Sequence, residues 1–348
     1  MDTKVKHLEI HTNNSIVPLQ RISDSSWCFV PKEDIPMRAK YEIKSATSHP
    51  TANCTITVSE NFIHAKIEQQ DILRYAISTQ FPADSLPLYY RRSGFIHPIT
   101  TRQGAVITDD FPEGHVHQHG MFHAWTRTFI QDTLIDFWNQ HAQLGEIRHD
   151  SVLSVVNGPV FSSFSVSLDY LAYLRDDTLK VSNEIWNFKI YPLAEHYLMD
   201  WEIQHTWLGP DSLTIDEYHY GGTAFRGSSE WNLPEGAYDS LVFVETNLHS
   251  SHLESNHSRP EWITMYGLTD ANQYAGITFI PSRKNFRYPQ PVRVHPTMPY
   301  FCFAPMVLGK FVLQPYDVYK SNCRMLVFDG KPDYSLIQKI HESYQKDF

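Results

Sequence analysis

The sequence contains no run of about 18 apolar residues, so nothing in it reads as a helix that crosses a bilayer. Its opening residues, MDTKVKHLEI, lack the apolar stretch of a signal peptide. A cytoplasmic protein is therefore expected, or a periplasmic or secreted one if a leader has been removed. Cysteine is scarce. Cys28, Cys54, Cys302 and Cys323 are far apart and make no CxxC pair, which leaves zinc-ribbon and thioredoxin readings without support. They are either buried thiols or, in an oxidising compartment, disulfide partners. There is no long basic run, and the formal net charge is −10, which argues against a nucleic-acid partner. No internal repeat and no low-complexity tract appears. Amphipathic helices between the strand-like runs are also missing, which excludes a parallel α/β sheet built on helical crossovers.

Short β-type runs are abundant. They include Lys4 to Ile10, Lys40 to Ile43, Cys54 to Val58, Phe62 to Ile67 and Leu73 to Ile77. From Val152 onward they continue through Val160 to Leu168, Leu179 to Tyr191, Tyr197 to Thr206, Leu213 to His219, Leu241 to Thr246, Trp262 to Tyr266, Gly276 to Phe279 and Met325 to Phe328. An apolar fraction of 42% and an aromatic fraction of 14% suit a large core built from strands. The pattern predicts an all-β protein, a sandwich of antiparallel sheets. Residues 1–70 form a β-rich N-terminal segment, either a leading module or the first strands of the same sandwich, and residues 71–348 the main domain. One helix is expected, at the C-terminus: Asp333 can cap it, and Leu336, Ile337, Ile340 and Tyr344 recur at helical spacing. A second short helix within Thr128 to Gln143 competes with a loop reading of Asp136 to Asn139.

The chain has 19 histidines. Six lie between His115 and His149, where about two would fall by chance. The stretch HVHQHG places His115, His117 and His119 at alternate positions. If the run is extended, three imidazoles line one surface about 6.6 Å apart. Three readings of the trio stay open. Imidazoles on one face can bind a divalent metal, with Asp109, Asp110 or Asp136 completing the shell. One imidazole can instead move a proton at a sugar carbon or oxygen. Or all three are hydrogen-bonded structural histidines.

Other groups have the chemistry of a sugar site. Asp136, Trp138 and Asn139 combine an acceptor, a flat apolar face and an amide, as a carbohydrate rim requires. His219 is expected at a strand end, followed by Gly221 and Gly222, with Arg226 able to clamp a carboxylate or a hydroxyl pair. His257, Arg259, Glu261 and Trp262 form a third polar group, and Arg287, Arg293 and His295 a fourth. Most such arginines pair with surface acids, so at most two are expected at a site.

Several segments in order resemble a bacterial domain family of unknown function that carries the label PmoA or methane-oxygenase-like. They are RSGFIHP (Arg92 to Pro98), TDDFPEGHVHQHG (Thr108 to Gly120), FHAWT, DFWN, HYGGTAFRGSSEW (His219 to Trp231), NHSRPEWITMYG (Asn256 to Gly267) and NFRYPQPVRVHPTMPYFCFAP (Asn285 to Pro305). The label conflicts with physics: a membrane oxygenase subunit needs several apolar spanning helices. The family is similar to galactose-mutarotase-type β-supersandwich proteins, and its members accompany sugar-degradation genes. The resemblance implies a supersandwich fold and a carbohydrate or sugar-derived acid as ligand. In mutarotase-like enzymes two histidines and a carboxylate do the chemistry, and the His-Gly segments HQHG and HYGG mark His119 and His219 as counterparts. A His-Pro pair common ahead of the Asn-Phe-Arg segment is replaced here by Ile280 to Lys284.

The leading expectation is a sugar-processing epimerase, lyase or hydrolase. His117, His119, His219 and Asp136 are its catalytic candidates. His115, Asp110, Trp138, Arg226, His257, Arg259 and Arg293 are its candidate substrate contacts. No cofactor is required by this reading. The alternatives are a non-catalytic carbohydrate-binding protein and a metal-dependent oxygenase whose ligands are His115, His117 and His119.

Overall fold

A computed structural model of the chain describes residues 8–11, 16–23, 25–30, 42–45, 52–174, 177–232 and 241–346. Two eight-stranded sheets dominate, and every strand pair in them is antiparallel. In spatial order the first sheet runs Gly145–Asn157, Ser162–Leu174, Asp177–Pro192, Tyr197–Trp207, Val318–Asp329, Tyr274–Pro281, Ile263–Leu268 and Val242–Thr246. The second runs Val292–Val294, Tyr300–Phe303, Gly222–Arg226, Met121–Ala124, Ile96–Ile99, Gln70–Ala76, Phe62–Ile67 and Cys54–Val58. One continuous core fills the space between them, with Trp125, Trp138, Trp186, Trp201 and Trp207 among its largest buried side chains. This is the sandwich of antiparallel sheets that the strand series predicts, in the supersandwich form that the family resemblance implies.

Alternation explains why these segments are strands. Along Tyr197–Trp207, residues 197, 199, 201, 203, 205 and 207 are buried while 198, 202, 204 and 206 are only half-buried. The long central strands therefore pack one face inward. The short strand Gly222–Arg226 is buried throughout, which is why alternation did not mark it.

Smaller pieces complete the molecule. Thr133–Ile135, Thr128–Ile130, Leu213–Ile215 and Phe311–Leu313 make a four-stranded sheet. The second helix considered within Thr128 to Gln143 is thus two short strands and a single 3-10 turn, Gln140–Ala142. Trp27–Cys28, Ile16–Arg21, Leu8–His11 and Glu42–Ser45 form a separate N-terminal sheet. Lys4 to His7, Lys40 and Tyr41, expected in strands, lie outside the described residues. The C-terminal helix, Tyr334–Tyr344, is present, and the Asp333 carboxylate accepts the Leu336 N–H at 3.0 Å as its cap. Ile337, Ile340 and Tyr344 bury against Trp262, Ile280, Leu326 and Phe328 on the outer face of the first sheet. Among the described residues no helix is long and apolar enough to cross a membrane. All four cysteines are unpaired, and Cys54, Cys302 and Cys323 are buried.

Candidate functional site

The loop before Met121–Ala124 carries the histidine run, and it is not a strand. His115 N–H donates to Pro112 O at 3.1 Å and Gln118 N–H to His115 O at 2.9 Å, so two turns follow in succession. Pro112 and Gly114, whose φ is +76°, set that geometry. Gly120 N–H to Asp109 O at 2.7 Å closes the base of the loop, and Arg226 N–H to Gly120 O at 2.7 Å with Asp109 N–H to Arg226 O at 3.3 Å clamps it to Gly222–Arg226. Only glycine fits at 120: an added Cβ would lie 2.1 Å from the Ile96 carbonyl oxygen.

The turns separate the three imidazoles, correcting the expectation of a shared face. His115 and His117 line a cavity of about 210 Å³. His119 is fully buried beneath it, its ring between Phe95, Phe111 and Phe122. Its Nδ1 bonds Asp110 Oδ1 at 2.6 Å and its Nε2 bonds Gln140 Oε1 at 3.2 Å. The Gln140 amide N–H groups are already donated to the Tyr90 and Arg91 carbonyls, so its oxygen faces the imidazole. Burial pushes His119 below the usual imidazole range, and the Asp110 carboxylate opposes that.

Gln118, Trp138, His219, Tyr220, Arg293, His295 and Tyr300 complete the cavity wall. His115 stands edge-on to His295 with ring centroids 5.4 Å apart, and 5.9 Å from His117. His141, at 6.3 Å from His117, adds a fourth imidazole behind it. Arg293 and His295 come from the edge strand Val292–Val294 and the residue after it. There alternation operates: Val292 and Val294 are buried, so 293 and 295 face the other way. Asn256 Oδ1 holds this edge by accepting from Val294 N–H and from one Arg293 Nη1–H, both at 3.1 Å. Thr297 N–H donates to His295 Nδ1 at 3.2 Å, which leaves the proton of neutral His295 on Nε2.

The strand expected through His219 stops at Ile215, so His219 sits in a loop. Gly221 and Gly222, with φ of +131° and +87°, turn that loop back into the sheet. At Gly222 a Cβ would meet the Phe303 carbonyl at 2.4 Å. Asp136 lies behind the wall instead of in it. It accepts from Trp138 N–H at 2.9 Å, Asn139 N–H at 2.8 Å, Thr126 Oγ1–H at 2.9 Å and Asn139 Nδ2–H at 2.8 Å. Asn139 Oδ1 then accepts from the Tyr220 hydroxyl at 2.9 Å. Asp136 thus positions Trp138 and, through Asn139, Tyr220.

Arg226 is buried behind Gln118. It donates to Gln118 Oε1 at 3.2 Å, bonds Asn232 and lies 3.7 Å from Asp109 Oδ2. His257 adjoins His219 and Arg293 at the rim. Arg259 lies apart, donating to the carbonyls of Arg287, Tyr288 and Pro289. The cavity therefore gathers His115, His117, Trp138, His219 and Arg293 of the expected set, while His119, Asp110, Asp136, Arg226 and Arg259 lie outside its wall. Gln118, His141, Tyr220 and Tyr300 were not singled out in the sequence, and His295, grouped there with Arg287 and Arg293, was not among the candidate contacts. For His295 a signal existed: Val-Arg-Val-His is an alternating strand pattern beside Arg293.

All the wall imidazoles are biased toward the neutral form. Burial and then the neighbouring imidazoles and Arg92 push His117 down to about 3. Burial, His115, Arg293 and Arg226 push His295 down to about 4. Burial and Arg226 lower His115; burial, Arg293 and His257 lower His219. Neutral imidazoles are also metal ligands, but among the described residues no three His, Cys, Asp or Glu side chains converge as a metal shell would require.

A search of curated proteins finds no match to the sequence. Among solved structures, an α-galactosidase from Lactobacillus brevis is similar over 80% of this chain and 39% of its own, with a TM-score of 0.35 and 9% identity. A GH36 α-galactosidase from Geobacillus stearothermophilus is similar over 93% and 40%, with a TM-score of 0.29 and 10% identity. The chain thus spans about two-fifths of each, and the likeness is too distant to carry an inference. The match that identifies a family is on the sequence side, and it runs from Phe62's neighbour at residue 63 to residue 342: the chain belongs to the family of unknown function DUF6807.

Proposed function

We propose that this protein processes a carbohydrate in the cavity between His115, His117, Trp138 and His295, with imidazoles as its acid and base. The observation that carries the reading is the meeting of three imidazoles, two of them 5.4 Å and 5.9 Å from the third, with the half-buried ring of Tyr220, which Trp138 backs, in one small cavity. A sugar offers C–H faces to an aromatic ring and hydroxyls to surrounding donors. Neutral His295 presents Nε2–H as a donor. His117 presents an unprotonated nitrogen, and negative charge developing beside it would raise its basicity toward the working range. Proton transfer at a sugar carbon or oxygen follows, as in epimerisation, lyase action or hydrolysis. His119, with both nitrogens bonded to Asp110 and Gln140, serves this scheme as a positioning residue.

A second reading, non-catalytic sugar binding, is favoured by one feature. No carboxylate stands among the residues of the cavity wall, whereas two histidines plus a carboxylate is the mutarotase-like arrangement. An oxygenase reading would need His119 beside His115 and His117, and its nitrogens are engaged elsewhere. Proton NMR of a panel of sugars and sugar acids in D2O, with and without protein, tests the enzyme reading. The expected result is accelerated anomer exchange, epimerisation, elimination or deuterium incorporation. That activity should fall roughly 10²–10⁴-fold in a folded His117→Ala variant. Binding without any conversion, on every sugar that binds, would leave the binding reading standing and end the catalytic one.

A further inference from the structure

The cavity wall is one-sided in charge. It holds Arg293 and the imidazoles of His115, His117, His219 and His295, and no Asp or Glu. Three acids of the described residues that adjoin wall residues in sequence or contact are engaged elsewhere. Asp110 is bonded to His119, Asp136 accepts five hydrogen bonds from Thr126, Arg127, Trp138 and Asn139, and Asp109 is beside Arg226. Arg293 is half-buried, and its one hydrogen bond among the described residues is from Nη1 to the neutral Asn256 amide oxygen at 3.1 Å. No carboxylate of the described residues lies within ion-pair distance of it. A guanidinium is charged at any working pH, and placing one half out of water without a counter-ion costs free energy unless a ligand supplies the charge. This occurs in a chain whose formal net charge is −10, so a general excess of cations does not explain it.

Resting on the carbohydrate reading above, we infer that the ligand is a sugar acid, with its carboxylate seated on Arg293 and its ring against Tyr220. The planar guanidinium has N–H groups left for a forked contact with two carboxylate oxygens. His295 Nε2–H and the exposed ring of His219 stand beside it on the wall as further donors. A monoanion fits better than a phosphate: the wall supplies one permanent cation, the imidazoles around it are neutral, and among the described residues no helix N-terminus lines the cavity to add backbone donors. The size points the same way. At about 210 Å³ the cavity is below the roughly 300–1,000 Å³ of drug-sized pockets, so it takes a single ring, either a monosaccharide acid or the end of an acidic chain.

Titration calorimetry of the full chain at neutral pH tests this, with glucuronate and galacturonate set against glucose and galactose, and with acetate and galactose 6-phosphate as controls. A uronate is expected to bind roughly 10- to 100-fold more tightly than its neutral counterpart, the usual worth of a charge-assisted hydrogen bond. Arg293→Gln should remove most of that preference, read as the ratio of uronate to neutral-sugar affinity, and Arg293→Lys should restore part of it. The comparison of ligands on the wild-type protein stands even if a variant fails to fold. Equal binding of acids and neutral sugars would overturn the acid seat and leave the carbohydrate reading intact. Acetate binding as tightly as a uronate would overturn the sugar ring and, with it, the carbohydrate reading. Preference for the phosphate, or no binding by either uronate, would overturn the inference.

Discussion

His117 and His119 are two residues apart and have opposite environments, so they answer differently to the same substitution. His117 makes no hydrogen bond to the described residues and lines the cavity; His119 is bonded at both nitrogens and sealed by phenylalanines. His119→Ala would leave Asp110 and Gln140 with orphaned buried acceptors, at a cost of about 1–3 kcal/mol, measurable by urea unfolding. His117→Ala should cost little stability and act on turnover. The depressed His117 also makes stability depend on pH. Its folded-state value, about 3, lies below that of an exposed imidazole, so the folded state binds fewer protons in acid. The associated stability is full above about pH 6.5 and is lost as pH falls toward 3. Between pH 7 and 5 the loss from this residue is up to about 2 kcal/mol. His117→Gln should flatten that part of the stability profile in unfolding titrations at the two pH values, and an unchanged slope would mean the imidazole is not buried neutral.

At the scale of elements, the sequence was legible where period and environment agreed. The long strands such as Asp177–Pro192 and Tyr197–Trp207 alternate visibly because one face packs inward. The C-terminal helix was legible for the same reason, with a cap residue and a 3.6-residue period. The histidine loop was not. HVHQHG has the spacing of a strand, but Pro112, Gly114 and the pair of turn hydrogen bonds override it. His115 and His117 therefore share a cavity as strand alternation would have them do, while His119 faces the interior. Asp136 was misplaced because a carboxylate that receives a turn's N–H groups and one that faces a substrate look alike in a sequence. The loop also depends on Gly120, where a Cβ would collide with the Ile96 carbonyl. Gly120→Ala should lower stability by about 1–3 kcal/mol or more, through backbone displacement, and weaken ligand binding as His115 and His117 shift. A melting curve with and without the tightest-binding sugar would show both effects.

Across the whole molecule, the two large sheets are tied together by a buried polar knot as well as by apolar packing. Glu184, on Asp177–Pro192, accepts from His205 Nδ1 at 3.0 Å on the neighbouring strand and from His123 Nδ1 at 2.8 Å on the opposite sheet. Tyr170 and Trp186 donate to the same carboxylate. Burial alone would raise Glu184, but the His123 and His205 imidazoles overcome it and hold the group below the usual carboxylate range. Glu184→Gln would set an amide N–H against existing donors, and removing one member of such a buried set typically costs about 3–5 kcal/mol. Denaturant unfolding checks this. Nothing in local pattern announces the knot: His123, Glu184 and His205 are brought together by sheet stacking, which composition and periodicity cannot reveal. It also shows that clustered histidines in this chain serve two ends, a core tie and a cavity wall.

The most direct test of the central claim, that the His115, His117 and His295 cavity is where a sugar is handled, is an NMR titration of the imidazole nitrogens with the tightest-binding sugar acid. The resonances of His115, His117 and His295 should move together and saturate with the ligand, while those of His123 and His205 stay fixed. If the cavity imidazoles remain unmoved at saturation while other histidines shift, the sugar is handled elsewhere and the assignment of this site is wrong.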